Sequence, residues 1–364
     1  MAELVIHSER IKNNIKQLSS FFKENKIEWS LVTKVFSGDK AFLNHILTED
    51  VIKNIASVGD SRLTSLKNLR AVNPNLKTIY IKPPAALYAD EVVKYADVSL
   101  NSSLTTIKAL NKAAKNQNKK HHIIIMVELG ELREGVKRDN IINFYKEVFT
   151  LDYIEVIGIG SNLGCMYGVE PTYDKLIQLS LYRELINIKF DTELKYISGG
   201  SSITLPLIDL KETPKEINHC RIGETAFFGI SPLNNKPFKN LYTNTFEFYA
   251  NIIELEEKNN IPDGIINNAN IGVTNSIADD SQKTSYKAIL DFGMLDVDKK
   301  DISTSDSDIN FVGVTSDMLV IDIGTNKTKD GNTKYKVGDK IKFTPNYMGV
   351  ARLLNSKFID KIYV

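Results

Sequence analysis

The sequence predicts an α/β protein, a TIM-like (β/α)₈ barrel over residues 1–240 followed by a mostly-β domain over 241–364. Three observations predict it. Through roughly the first 230 residues short apolar runs alternate with helix-like segments, as barrel units do. The runs number eight, and past Leu241 the helical spacing gives way to strands and turns. Eight βα units in that length fit a closed barrel better than an open doubly wound sheet, which is the structural alternative. A chain of 364 residues is also too long for one ordinary core and suits two domains.

The elements follow in order. Ser8 precedes Glu9-Arg10-Ile11, and apolar residues continue at Ile15, Leu18 and Phe22, the pattern of a capped amphipathic helix. The first strand is the β-branched run 31–35, which carries Lys34 at its carboxyl end and stops at Ser37-Gly38-Asp39. Runs at 55–59, 76–81, 98–100, 123–129, 156–160, 194–197 and 219–222 supply the other seven. Helical spacing fills 61–69, 104–114, 141–149 and 173–188 between them. Beyond Leu241, strands are expected at 246–252, 286–292, 311–314, 318–323 and 340–343, with no long helix. The Asp- and Ser-dense stretch 298–308 lacks calcium-loop spacing and reads as a solvated turn.

Composition excludes several classes of partner. Lys plus Arg number 46 against 45 Asp plus Glu, a formal charge of +1 that offers no field for nucleic acid or anionic lipid. No apolar run approaches a membrane span and no basic, apolar leader opens the chain, so a cytoplasmic protein is expected. Cys165 and Cys220 are too few for a disulfide scaffold or a four-thiolate metal site, and the five histidines lack ligand spacing. His121-His122 opens a strand, where neighbours face opposite ways, and no metal is expected. Hydrolase, dinucleotide and nucleoside-triphosphate signatures are missing too.

The predicted strand ends gather polar groups at the face where barrels react their substrates: Lys34, Asp60, Asn101, Glu128 with Arg133, Ser161-Asn162, Ser198-Gly199-Gly200-Ser201-Ser202 and Arg221-Ile222-Gly223-Glu224. A lysine on a buried run is costly unless paired or converted, and a Schiff base with an aldehyde cofactor is one conversion; an edge-strand lysine reaching solvent is the other reading. The turns after the seventh and eighth strands stand where barrels bind phosphate through backbone amides, although an ordinary tight loop looks similar. Arg133 either holds a carboxylate or pairs with neighbouring acids. A guanidinium at Arg221 needs an acceptor, and a pyridine nitrogen is one; staying protonated itself, it would keep that nitrogen deprotonated.

These residues, as an ordered set, resemble a known family. Val32-Thr33-Lys34-Val35-Phe36-Ser37-Gly38-Asp39, Asp60-Ser61-Arg62, Leu129-Gly130-Glu131-Leu132-Arg133-Glu134-Gly135, Gly158-Ile159-Gly160-Ser161-Asn162-Leu163, Ser198-Gly199-Gly200 and Arg221-Ile222-Gly223-Glu224 are similar to the ornithine racemase branch of the alanine racemase-like, fold type III pyridoxal-phosphate enzymes. The likeness runs from the first helix to Tyr363-Val364. It implies pyridoxal 5'-phosphate carried covalently by Lys34, which also serves as one catalytic base. Arg221 would face the ring nitrogen, Arg133 the substrate carboxylate, and Asn162 the place where alanine racemases put a histidine. Ser201, Ser202, Gly223, Glu224 and Tyr347 would line the phosphate. A head-to-tail homodimer is implied, the β domain of one copy closing the site of the other, with a free amino acid as substrate.

One departure matters. Alanine racemases supply the opposite-face base as a tyrosine in a Gly-Tyr-Ala-Asp turn, where this chain reads Asp291-Phe292-Gly293-Met294-Leu295-Asp296. Methionine cannot carry a proton. Cys165, Asp296 and Asp317 are the replacements to consider, with core packing as the other reading of Cys165. The branch often has cysteine where Ser37 stands. The implied reaction is racemisation by two-base proton transfer at Cα. Ornithine or another basic amino acid is the expected substrate, and its distal ammonium calls for an acid such as Glu128, Asp296 or Asp317. Alanine, lysine or serine as substrate, or a non-catalytic binder of the cofactor, are the alternatives.

Overall fold

The computed structural model describes residues 1–267, 272–274 and 284–364. It divides into two compact units, Glu9–Thr243 and Met1–Ser8 with Asn244–Val364.

The first unit is a closed parallel barrel of eight strands. With β1 assigned to Glu3–Ile6, the barrel runs through β2 (Glu28–Val32), β3 (Ser57–Asp60), β4 (Thr78–Tyr80), β5 (Val98–Asn101), β6 (His121–Met126), β7 (Ile154–Gly160), β8 (Tyr196–Ser201) and β9 (His219–Ile222), which closes on β2. All eight expected strands are present. Helices Leu63–Val72, Leu104–Asn116, Ile141–Val148 and Tyr173–Phe190 match the helical spacing, and helices Lys40–Ile46 and Ala89–Tyr95 were not anticipated. Helix Ser8–Glu24 buries Ile11, Ile15, Leu18 and Phe22 as their spacing requires. Ser8 does not cap it: its hydroxyl is buried and has no hydrogen-bond partner among the described residues.

The wall is apolar but not uniformly so. Ile79, Leu100, Ile124 and Met126 form one cluster, while Ser30, Ser99, Ser198, His121 and His219 are buried with them. His121 is buried and His122 much more exposed, the alternation expected of strand neighbours. The β8–β9 pairing slips between Ser198 and Gly200, and a Cβ at Gly200 would stand 2.1 Å from Cys220 Sγ. Only glycine fits there, and the slip brings Ser201 opposite Arg221.

The second unit is an antiparallel sheet built on the long strand Phe246–Asn259, which pairs with Thr284–Leu290 and Lys340–Pro345. β1 also pairs antiparallel with it, from Glu3↔Tyr249 to Ile6↔Phe246, and lies parallel to Asp360–Tyr363. Residues 1–8, expected with the barrel, belong to this unit; a four-residue strand whose partners lie some 240 positions away gives no local signal of where it pairs. Helix Tyr347–Asn355 was also unforeseen, capped by Asn346, whose Oδ1 accepts the Gly349 N–H at 2.9 Å. Nor is 298–308 a plain solvated turn: Asp301 is buried, and Asp306 accepts from Lys334 and Tyr335. Among the described residues no helix is long and apolar enough to cross a membrane.

Candidate active site

Because the barrel strands are parallel, their carboxyl ends share one end of the barrel, and the residues that follow them gather there. The wall ends at Val32, so Lys34 lies just beyond β2 rather than in it, on the single 3₁₀ turn Lys34–Phe36. Ser37 and Gly38 turn the chain away with φ of 50° and 74°, which ends the extended run earlier than its β-branched residues suggest. Val35 and Phe36 anchor the turn in the core, Phe36 against Phe42 and Phe227, while the Lys34 side chain is exposed. Glu224 is within its electrostatic reach: burial pushes the Glu224 carboxyl up, and Lys34 draws it partly back.

Arg221 is 6% exposed, and both of its Nη groups donate to neutral acceptors. Nη1 donates to Ser198 O at 2.7 Å and to Ser198 Oγ, and Nη2 to Ser161 O at 2.8 Å and Asn162 Oδ1 at 2.6 Å. Burial lowers its pKa to about 10, still well above neutrality. The Ser198 hydroxyl accepts from Arg221 and shares a second hydrogen bond with His219 Nδ1 at 2.7 Å. His219 Nε2 is hydrogen-bonded to Ser30 Oγ at 2.9 Å, which continues to Ser57 Oγ at 2.7 Å. Burial and the Arg221 charge push His219 down to about 3, so this relay is neutral.

Arg133 sits in a tight turn between β6 and a bridge pairing Val127 with Val136. A Cβ at Gly135 would lie 2.3 Å from Glu128 N, and Leu132 adopts a left-handed φ of 52°. The guanidinium donates twice to the Glu134 carboxylate and once to Cys165 Sγ. These bonds raise the Arg133 pKa; burial raises that of Glu134, and Arg133 with Asn162 more than reverses it. Asn162 Nδ2 donates to the same carboxylate. The result is one continuous line of contacts, Cys165–Arg133–Glu134–Asn162–Arg221.

Ser201 and Ser202 end β8 and open a short turn, and Ser202 Oγ accepts the Thr225 N–H at 3.3 Å, tying this turn to Gly223-Glu224. Two buried hydroxyls in this region, Ser161 Oγ and Thr225 Oγ1, have no partner among the described residues. An exposed lysine, a buried protonated arginine and two unsatisfied hydroxyls fit pyridoxal phosphate, which offers an aldehyde, a ring nitrogen and phosphate oxygens as partners.

The acids fare unequally. Glu128 Oε1 accepts the N–H groups of Gly130 at 2.6 Å and Leu132 at 3.0 Å, a turn-building role. Asp296 is 6% exposed, with one oxygen taking the Gly293 N–H and the other the Ser356 hydroxyl. Asp317 is exposed, on a turn whose Thr315 carbonyl accepts the Met294 N–H at 2.9 Å. Asp296, Asp317 and Tyr347 belong to the β unit. Among the described residues there is no group of three or more His, Cys, Asp or Glu able to hold a metal. Glu131, Glu134 and Thr225 were not among the expected site residues. The acids on either side of Arg133 were the one available signal.

Comparison with known proteins gives concordant results. The family model of the alanine racemase N-terminal domain matches residues 6–232. The ornithine racemase of Acetoanaerobium sticklandii is 33% identical over 99% of this chain and 98% of its own, and the lysine racemase of Thermotoga maritima 27% identical over the same shares. Among solved structures, the alanine racemase of Bartonella henselae with covalently bound pyridoxal phosphate superposes with a TM-score of 0.74 at 15% identity, over 100% of this chain and 99% of its own. At that identity the likeness is one of fold.

Proposed function

The chain belongs to the alanine racemase N-terminal domain family, and from that premise we propose that it racemises a free basic amino acid, ornithine before lysine, with Lys34 and Cys165 moving the Cα proton on opposite faces. It is a pyridoxal-phosphate-dependent racemase. When bound, the cofactor stabilises the negative charge left at Cα after the proton departs. Lys34 would hold it covalently, Arg221 would hold its ring nitrogen, and Ser201, Ser202, Gly223, Glu224 and Tyr347 would hold its phosphate.

The observation that carries the reading is the contact between Arg133 and Cys165. Arg133 binds the substrate carboxylate, and a thiol on that same guanidinium stands beside any Cα so held. Thiols both give and accept protons, which the methionine at position 294 cannot do. Lys34 serves the other face. Arg221 cannot give up its proton near neutrality and so would leave the ring nitrogen unprotonated, a weaker electron sink that would favour return of the proton to Cα over side reactions.

The ornithine assignment rests on the ornithine racemase relative and on Asp317, the exposed carboxylate left once Glu128 and Asp296 are committed to turns. The active form is a head-to-tail homodimer in which the β unit of one copy closes the barrel mouth of the other. Exposed Leu132, Met166 and Tyr167 on the barrel's loops support such a cover.

The test is incubation of the pyridoxal-phosphate-loaded protein with single L-amino acids in deuterated water, reading deuterium at Cα and enantiomer composition. D-Ornithine carrying deuterium is expected, and Cys165→Ala should abolish it while cofactor absorbance persists. Deuterium entering ornithine without D product would remove the two-base scheme, and a D product from alanine alone would remove the substrate.

A further inference from the structure

The carboxylate of Glu131 is 2% exposed and accepts the backbone N–H groups of six consecutive residues. Oε1 takes Cys165 at 3.0 Å, Met166, Tyr167 at 2.7 Å and Gly168 at 3.3 Å; Oε2 takes Gly164 and Val169, each at 3.1 Å. Six successive amides converge on one anion only if the chain coils around it, and Gly164 and Gly168, with φ of 65° and 74°, provide the left-handed steps. The segment 161–172 has no helix or strand of its own, so this carboxylate does for the loop what a ladder does for a strand. Burial pushes the Glu131 carboxyl up, but the ring of donors outweighs it and holds the pKa at about 2.

Glu131 stands two residues before Arg133, and Cys165 lies in the loop it gathers. The same turn therefore aims the guanidinium and fixes the thiol that receives one of its N–H bonds. On its far side the loop packs tightly: a Cβ at Gly164 would stand 2.3 Å from Ile203 Cδ1. A thiol on a loop held at both sides keeps its place through a catalytic cycle, whereas on an unanchored twelve-residue connection it would sample many positions.

We propose that Glu131 is the positioning residue for opposite-face proton transfer, its carboxylate folding the 164–169 loop so that Cys165 meets the Cα held by Arg133. This rests on the reading of Cys165 as the proton carrier on that face. Glu131 touches neither substrate nor cofactor and acts through the loop alone. A glutamine there still accepts at one oxygen but turns an NH₂ toward the amides of Gly164 and Val169, so two of the six bonds are lost. An aspartate keeps the charge at shorter reach.

The test compares wild type, Glu131→Gln and Glu131→Asp, all loaded with pyridoxal phosphate. Amide hydrogen exchange across 164–169 should speed at least about tenfold in Glu131→Gln, and racemisation should fall at least about thirtyfold in kcat with KM within about threefold. Deuterium wash-in to the enantiomer served by Lys34 should stay within about threefold of wild type. That split marks positioning, because a merely destabilised protein loses wash-in and racemisation together. Glu131→Asp should recover part of the loss, and it carries the same readouts if Glu131→Gln does not fold. Unchanged loop exchange, or faster exchange with undiminished racemisation, overturns the proposal. If wild type racemises nothing, the functional reading has failed, and iodoacetamide labelling of Cys165 then decides on positioning alone. Cys220 is fully buried and does not compete. A labelling rate altered about tenfold by Glu131→Gln sustains the positioning role, and an unaltered rate overturns it.

Discussion

Arg221 donates to Asn162 Oδ1 at 2.6 Å, and that bond decides which way round the Asn162 amide sits. A guanidinium only donates, so the amide oxygen faces it and the NH₂ turns to the Glu134 carboxylate. Asn162 is thus a neutral spacer with a cation on one side and an anion on the other.

Asn162→Asp should expose that arrangement. The new carboxylate still accepts from Arg221 but sets a second anion against Glu134, and two carboxylates sharing a site retain a proton between them. At low pH the shared proton restores the bond; as pH rises it leaves and repulsion opens the line to Arg133. The kcat of the variant relative to the parent should fall about tenfold further between about pH 6 and about pH 9. A ratio that does not change with pH would remove Asn162 from this role.

The buried histidines make a prediction about stability. Burial pushes His121 and His219 from 6.5 to about 3, so each stays neutral in the fold while the unfolded chain takes up a proton below its ordinary pKa. The unfolded state binds more protons between about pH 3 and about pH 6.5, so stability rises with pH through that window and is lost on acidification. Each histidine supplies up to about 1.4 kcal/mol per pH unit there. Asp60 works the other way. Burial lifts its carboxyl from 3.8 to about 6, so between those values the folded form keeps a proton that the unfolded form releases. One such group offsets one histidine over part of the range, and a net loss on acidification remains. Urea unfolding from about pH 7 to about pH 4 should show it, and His219→Gln should flatten the slope. An unchanged slope in that variant would mean His219 is protonated in the fold.

What was legible in the sequence follows from how local each signal is. The barrel wall was readable because strands buried on both faces are enriched in apolar and β-branched residues, wherever their partners lie. Lys34, Arg221 and Ser201-Ser202 stood out as polar exceptions at the ends of those runs. β1 was not readable as part of the β unit, because its pairing with Phe246–Asn259 leaves no mark in residues 1–8. Asp296 and Glu128 invited roles as substrate acids because a free carboxylate and one that builds its own turn look alike in sequence; the bonds to Gly293, Gly130 and Leu132 separate them. Glu131 was hidden for the reverse reason: its six partners lie more than thirty residues ahead, in a stretch with no periodicity.

The turn that carries Arg133 holds strain at Leu132, and this can be read out directly. A non-glycine residue at φ of 52° costs about 1–2 kcal/mol, and within one copy the Leu132 side chain, 66% exposed, buries too little to offset it. Its N–H is held by Glu128 Oε1, so the backbone cannot relax without losing that bond. Leu132→Gly removes the clash, and after the larger entropy of the unfolded glycine chain is set against it, the protein should gain up to about 1 kcal/mol in urea unfolding. Leu132→Val, β-branched and less tolerant of the left-handed region, should lose stability instead. The strain also fixes Arg133, so the stabilised glycine variant should bind substrate less well, seen as a raised KM. Opposite signs for stability and KM in Leu132→Gly are the signature of a turn kept taut for Arg133; a destabilised glycine variant would show that Leu132 packs after all.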